Sequence, residues 1–217
     1  MTDAATATAP DPRREGPPGS TRAFVDEKVT HIQNGYVRYP QSAESRAALA
    51  KLRRGVGREP GTVAEVLPLT VNPDARSDQD GPTADERAIH AALTLYAVHQ
   101  QSQDRRMHVP GTPFGAALGR IRFRDGEENP GVVRRFQALG TAGGFTESMA
   151  HARALITLLR GVGVGFDYGR FATDLVQLQD PARAAGVRLR WGRDFYRTRP
   201  PAADGAATPT AATSEEL

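Results

Sequence analysis

The chain has 217 residues, with 28 Lys+Arg against 25 Asp+Glu and no cysteine. That length can bury a core in one large or two small domains, and the absence of cysteine excludes a disulfide framework, a thiolate zinc site and a cysteine nucleophile. No apolar run approaches the length of a membrane span and the N-terminal stretch lacks the apolar centre of a signal peptide, so a cytoplasmic protein without membrane contact is expected.

Pro, Gly, Ala and Thr dominate residues 1–20, which therefore bury too little apolar surface to offset their ordering entropy and are expected to form a disordered arm. Helical spacing then predicts a first helix over 22–37 and a second over 42–55, ending at Gly55. A turn near 61–67 is followed by "PLTVNPDARSDQDGP", residues 68–82, whose turn formers predict a long loop. Thr83 and Glu86 compose a capping box, opening a third long helix through "TADERAIHAALTLYAVHQ". A fourth helix is expected over 113–123, and the Gly- and Pro-containing "RDGEENPG" after it reads as a domain junction.

Beyond the junction the spacing predicts helices near 131–141, 146–160, 168–178 and 181–197, the last with Asp180 as its cap and Pro181 in its first turn. Residues 200–217 match the first segment in composition and are expected to be a second disordered tail. Nowhere does a sustained period-two alternation of β-branched residues suggest a sheet. The predicted fold is all-α: two small helical bundles of about four helices each, over 21–128 and 129–199, between disordered tails.

Among the 28 basic residues, only Lys28 and Lys51 are lysines. Arginine is the side chain that forks onto phosphates and stacks on planar groups. Residues 101–199 carry 16 basic and 9 acidic groups, whereas residues 1–100 carry 12 and 13; the positive charge of the later part favours an anionic partner there. Helix phase assigns the faces. In "VVRRFQAL" the stripe Val132, Val133, Phe136 and Leu139 should enter the core, with Arg134 opposite and Arg135 at the edge. The helix over 146–160 buries Leu155, Ile156, Leu159 and Met149 and aligns Arg153 with Arg160 on one flank. In the second helix Leu49 and Leu52 point inward while Arg46 and Arg53 share a flank. Such rows could follow a phosphate backbone or be ordinary solvated charge.

Catalytic signatures do not assemble. The five histidines, His31, His90, His99, His108 and His151, show no metal-ligand spacing, so neither metal nor cofactor is expected. "GVGVG" at 161–165 follows a helix and lacks the spacing of a phosphate loop, which makes it an interhelical linker. No G-x-S-x-G elbow occurs, and Asp167, well placed as a helix cap, forms no recognisable acid/base pair with Asp174. In "WGRDFY", Trp191 and Phe195 read as core anchors.

The ordered series "RAALAKLRRG", "ALTLYAVHQ", "GTPFGAALGRI", "GVVRRFQALG", "HARALITLLR", "FDYGRFATDL" and "WGRDFY" resembles the CasB family, the small subunit of the RNA-guided type I-E CRISPR surveillance complex, Cascade. The similarity extends over residues 22–197. It implies an all-helical, non-catalytic subunit with two small bundles, placed as two copies beside the backbone and large subunits. Its basic surfaces would hold guide RNA and target DNA, including the displaced strand of the R-loop. Carried over by motif, the resemblance implicates Arg53, Arg54, Arg134, Arg135, Arg153 and Arg193. Some members have a basic residue where this chain has Ala116; Arg120, one turn on, is expected to face the same surface. With Arg46 and Arg160 from the rows, these form the candidate nucleic-acid site.

Two other readings compete with this one. A free helix-turn-helix regulator would gather base-reading side chains on one helix, whereas these arginines are spread over several. A small-molecule enzyme would need an acid/base, nucleophile or metal set that does not assemble here.

Overall fold

The protein is described from a computed structural model covering residues 19–38, 41–75, 77 and 80–198. The two tails lie outside these residues, except that Gly19 and Ser20, expected in the arm, belong to the fold: the Ser20 side chain accepts from the Ala23 N–H and caps the first helix. The helices are α1 (Thr21–Val37), α2 (Ala43–Arg54), α3 (Leu67–Thr70), α4 (Ala84–His99), α5 (Phe114–Arg120), α6 (Pro130–Thr141), α7 (Phe145–Val162), α8 (Tyr168–Leu178) and α9 (Pro181–Arg197). An all-α architecture is what the periodicity predicted.

Most ends follow from local chemistry. Thr83 and Glu86 form both bonds of the capping box, at 3.1 and 2.7 Å. Asn129, Asp167 and Asp180 accept from the first turns of α6, α8 and α9, which satisfies N–H groups that a helix leaves unpaired. At the other end of α7, Gly163 takes the left-handed conformation at φ +67° and stops the helix.

Three details differ from expectation. The segment expected as a loop from residue 68 begins with α3, after a 3-10 turn at Ala64–Val66. The junction contains a small hairpin, β1 (Phe123–Arg124) and β2 (Glu127–Glu128), paired antiparallel. Its turn residues Asp125 and Gly126 have φ of +54° and +83°, the conformation that the Asp-Gly pair favours in tight hairpins. The "GVGVG" linker expected over 161–165 is shorter, because α7 continues through Val162, and Phe166 just beyond it makes a parallel bridge to His108.

Packing explains the burial pattern. Helix α4 is buried on every side from Ala88 to His99 because α1, α2, α7 and α8 all pack on it. In turn, α8 lies against α1, α4 and α9, and α5 lies against α9. The apolar core runs continuously across residues 128 and 129, including Phe24 and Leu93 on one side and Phe136 and Trp191 on the other.

Close approach of α5 to α9 depends on two glycines one turn apart. A Cβ on Gly115 would overlap the carbonyl oxygen of Trp191, and one on Gly119 would stand 2.7 Å from that of Phe195. Arg122 reinforces the junction, donating to the Phe195 and Thr198 carbonyls at 3.3 Å each. We therefore expect Gly115→Ala to lower stability by about 1–3 kcal/mol, because backbone cannot yield as a side-chain tip can. Gly192→Ala, on the same α9 but with nothing within 4 Å of its Cβ direction, should instead raise it by about 0.5–1 kcal/mol through helix propensity. Chemical denaturation of the two variants tests the contrast.

Candidate nucleic-acid interface

The apolar stripes aim the arginines as helix phase requires. In α6, Val132, Phe136 and Leu139 are buried, Phe136 stacked on Phe195 at 4.0 Å; Val133 is half-buried, and Arg134 and Arg135 are exposed. Arg135 turns back to donate to the Gly131 carbonyl at 3.0 Å. In α7, Leu155, Ile156 and Leu159 are buried while Arg153 is exposed. In α2, burial of Leu49 and Leu52 leaves Arg46 exposed and Arg53 half-buried. Arg120 and Arg193 are exposed on α5 and α9.

Two members of the predicted set are engaged by partners within the chain. Arg54 forms a bidentate pair with Glu65 at 2.6 and 2.7 Å, and this partner raises its pKa further above the ordinary value. Arg160 is half-buried and donates to the Val98 carbonyl and the Gln101 side chain, both at 3.3 Å. Arg160 thereby ties the end of α7 to the end of α4. Among the described residues, Arg46, Arg53, Arg120, Arg134, Arg135, Arg153 and Arg193 have no ion pair.

Several remaining arginines are framework. Arg190 bonds to Asp174 and Gln177 at 2.8 Å each, and Asp174 also accepts from the Trp191 indole at 2.7 Å. Arg188 donates to the Ala142 carbonyl at 2.8 Å. The expectation that Trp191 and Phe195 are core anchors is met, since both are buried.

Two of the buried histidines, His90 and His99, add no charge to this surface. Burial pushes His99 down to about 3 and also lowers His90, so both rings are neutral at neutral pH. His99 instead bonds to the Tyr168 hydroxyl at 3.1 Å.

Folding unites groups far apart in sequence. Ligand-type atoms of Asp26, His108 and Asp167 lie within 4.8 Å of one another. Asp167 accepts from the Gly111 and Arg170 N–H groups, at 2.9 Å each, and His108 Nδ1 accepts from the Tyr168 N–H at 3.1 Å. His108 Nε2 is therefore the protonated nitrogen, 3.6 Å from Asp26. Arg22 faces both carboxylates, at 3.7 Å from Asp26 and 3.6 Å from Asp167. These bonds make the cluster a polar tie between α1, the 107–111 segment and the start of α8. The capping role of Asp167 is legible in the sequence, whereas its neighbours in the cluster leave no local signal there. Nor does any local pattern mark Arg58 and Arg87, which join Arg153 around a cavity between α4, α7 and the 56–60 loop.

Fold and surface together define an all-α protein that offers unpaired guanidinium groups from several helices. The family model described as CRISPR-associated protein Cse2 matches residues 48–196. CasB from Thermobifida fusca is 34% identical with a TM-score of 0.69, over 81% of this chain and 97% of that one. CasB from Thermus thermophilus is 23% identical with a TM-score of 0.61, over 82% and 97%. A chain from a structure titled "CRISPR RNA-guided surveillance complex" is 24% identical with a TM-score of 0.63, over 82% and 94%. No curated protein matches the sequence. The chain belongs to the Cse2 family of CRISPR-associated proteins, also called CasB.

The Asp26 cluster gives a pH test. Burial raises the Asp26 carboxyl to about 6, the Asp167 charge adds to the effect, and Arg22 with the Gly169 backbone opposes it. The folded protein therefore takes up this proton near pH 6 and the unfolded chain near 3.8. Ionised Asp26 costs stability above pH 6, and the cost vanishes as pH falls to 3.8. Asp26→Asn is expected to be more stable than the parent at pH 7, with the advantage shrinking toward pH 4 in urea denaturation. A difference constant with pH would contradict this assignment.

Proposed function

We propose that this chain is a non-catalytic small subunit of an RNA-guided surveillance complex of the Cascade type. In this role it holds nucleic-acid backbone without reading sequence and stabilises the guide-target R-loop, including the displaced strand. The observation that carries the reading is the exposed pair Arg134 and Arg135, neither held in an ion pair among the described residues, on a helix whose opposite stripe is locked into the core, in a chain of the Cse2 family. The surveillance-complex chain with the same fold supports the assembly context.

The physics asks little of such a subunit. Exchanging a DNA duplex for a guide heteroduplex is nearly balanced in free energy, so modest contacts to the displaced strand decide whether the open state persists. Guanidinium groups suit this because phosphate contacts position a strand without carrying sequence information. Specificity then belongs to the guide RNA. The implied partners are guide RNA, target DNA, the backbone and large subunits, and a second copy of this chain. Because the unpaired arginines occupy α2, α5, α6, α7 and α9, no single helix gathers them as a recognition helix would, which disfavours the free regulator.

The double variant Arg134→Ala, Arg135→Ala should fold with an unchanged thermal midpoint, since both side chains are exposed. In the assembled complex it should retain target DNA less well, and the slope of log affinity against log salt should flatten by about 0.7–0.9 for each phosphate that is no longer neutralised. Arg54→Ala should have the smaller effect, because Glu65 already neutralises that charge. Unchanged retention and salt slope in the double variant would overturn the reading.

A further inference from the structure

Between α4, α7 and the 56–60 loop lies a cavity of about 390 Å³. Its lining combines two chemistries. Apolar surface comes from Val56, Ala91, Leu95, Phe145 and Met149, and positive charge from Arg58, Arg87 and Arg153. Arg58 and Arg153 are exposed and have no ion pair among the described residues, while Arg87 lies 3.9 Å from Glu59. The cavity is thus apolar with a net cationic lining. An uncharged apolar ligand would not use the arginines, and a simple anion would not use the apolar wall.

Phe145 adds a geometric element. It opens α7 directly after Gly143 and Gly144 and is only half-buried. The same ring lines a second, adjoining depression, about 570 Å³, which reaches Arg188 in the middle of α9. Glu59, Arg87, Phe145 and Thr146 are common to both. The ring therefore stands between two recesses, in a path with guanidinium groups on either side.

We propose that this cavity is a nucleobase subsite: a base of a bound single strand seats against Phe145 and Met149, and the flanking phosphates meet Arg58 and Arg153. The inference rests on the nucleic-acid reading above and specifies how one surface would engage the strand. Base faces stack on aromatic rings whatever the sequence. The subsite thus adds affinity without base readout, in keeping with a protein that leaves specificity to a guide. The pairing of an apolar slot with cations also matches the nucleotide itself, a planar apolar-faced ring beside an anion.

The test compares two single strands of equal length and charge binding to the full chain by fluorescence anisotropy, one of thymidine and one of abasic sugar-phosphate. The expected result is at least about fivefold tighter binding of the thymidine strand, as one base-aromatic stack supplies. Phe145→Leu and, independently, Ala150→Leu should erase that preference while leaving abasic-strand affinity unchanged. Ala150 lines the cavity from an exposed position, so the second variant fills the recess without entering the core. Strands carrying 5-iodouracil should photocrosslink to Phe145 or Met149.

Equal binding of the two strands would overturn the base subsite while leaving the backbone reading intact. A thymidine preference that survives both variants, or crosslinks confined elsewhere, would place base contacts outside this cavity and also overturn it. Loss of association with a protein subunit in Ala150→Leu, with strand binding unchanged, would reassign the recess to a protein anchor. Failure of both strands to bind would remove the subsite together with the function on which it rests.

Discussion

Phe166 stands where the early and late parts of the chain meet, and its burial organises the rest. Its ring centroid lies 5.0 Å from Phe114, 4.2 Å from Tyr168, 5.4 Å from Phe171 and 5.5 Å from His99. Its backbone exchanges hydrogen bonds of 3.0 Å with Met107 and Val109. Close aromatic contacts of this kind bury much area in fixed orientations. Once this segment is seated, Asp167 caps α8 and meets Asp26 and His108, and α8 is laid across α1 and α4. Removing α8 would expose core on both sides of the hairpin.

That constraint also divides the arginines into two populations. Arg122 is buried at the α5–α9 contact, 4.5 Å from the Phe123 ring centroid and 5.4 Å from those of Phe195 and Tyr196. Arg160 and Arg188 satisfy backbone carbonyls between helices. A guanidinium can be buried this way because its several donors reach acceptors while its flat face covers aromatic surface. The exposed arginines on α2, α6 and α7 instead keep their charge in solvent. A high arginine count therefore overstates the anion-binding surface, since part of it is interhelical fastening.

Much of the architecture was legible in the sequence because its signals are local. The bounds of α8 and α9 follow from their caps and apolar spacing, and α4 from its capping box. The short α3 is masked by a segment rich in turn formers, and the hairpin leaves only its Asp125-Gly126 turn signal, because its strands are too short for alternation to show. The expected break between bundles lies near residue 128, yet the core passes across it, since α8 packs on α1 and α4 from the other side. Apolar spacing tells which face of a helix is buried, but not against which helix.

The same limit governs the functional surface. Helix phase alone determined that Arg134 faces away from the core, because 100° per residue puts it opposite Val132, Phe136 and Leu139. The order of motifs also pointed to the CasB family. Only the tertiary structure decided that Arg54 is neutralised by Glu65 and that Arg160 is held by the end of α4. It also brought Arg58, Arg87 and Arg153 around one apolar recess and set Asp26 beside Asp167, 141 positions apart in the chain. Facing is a property of one helix and its period; partnership depends on how separate helices pack, which no local pattern encodes.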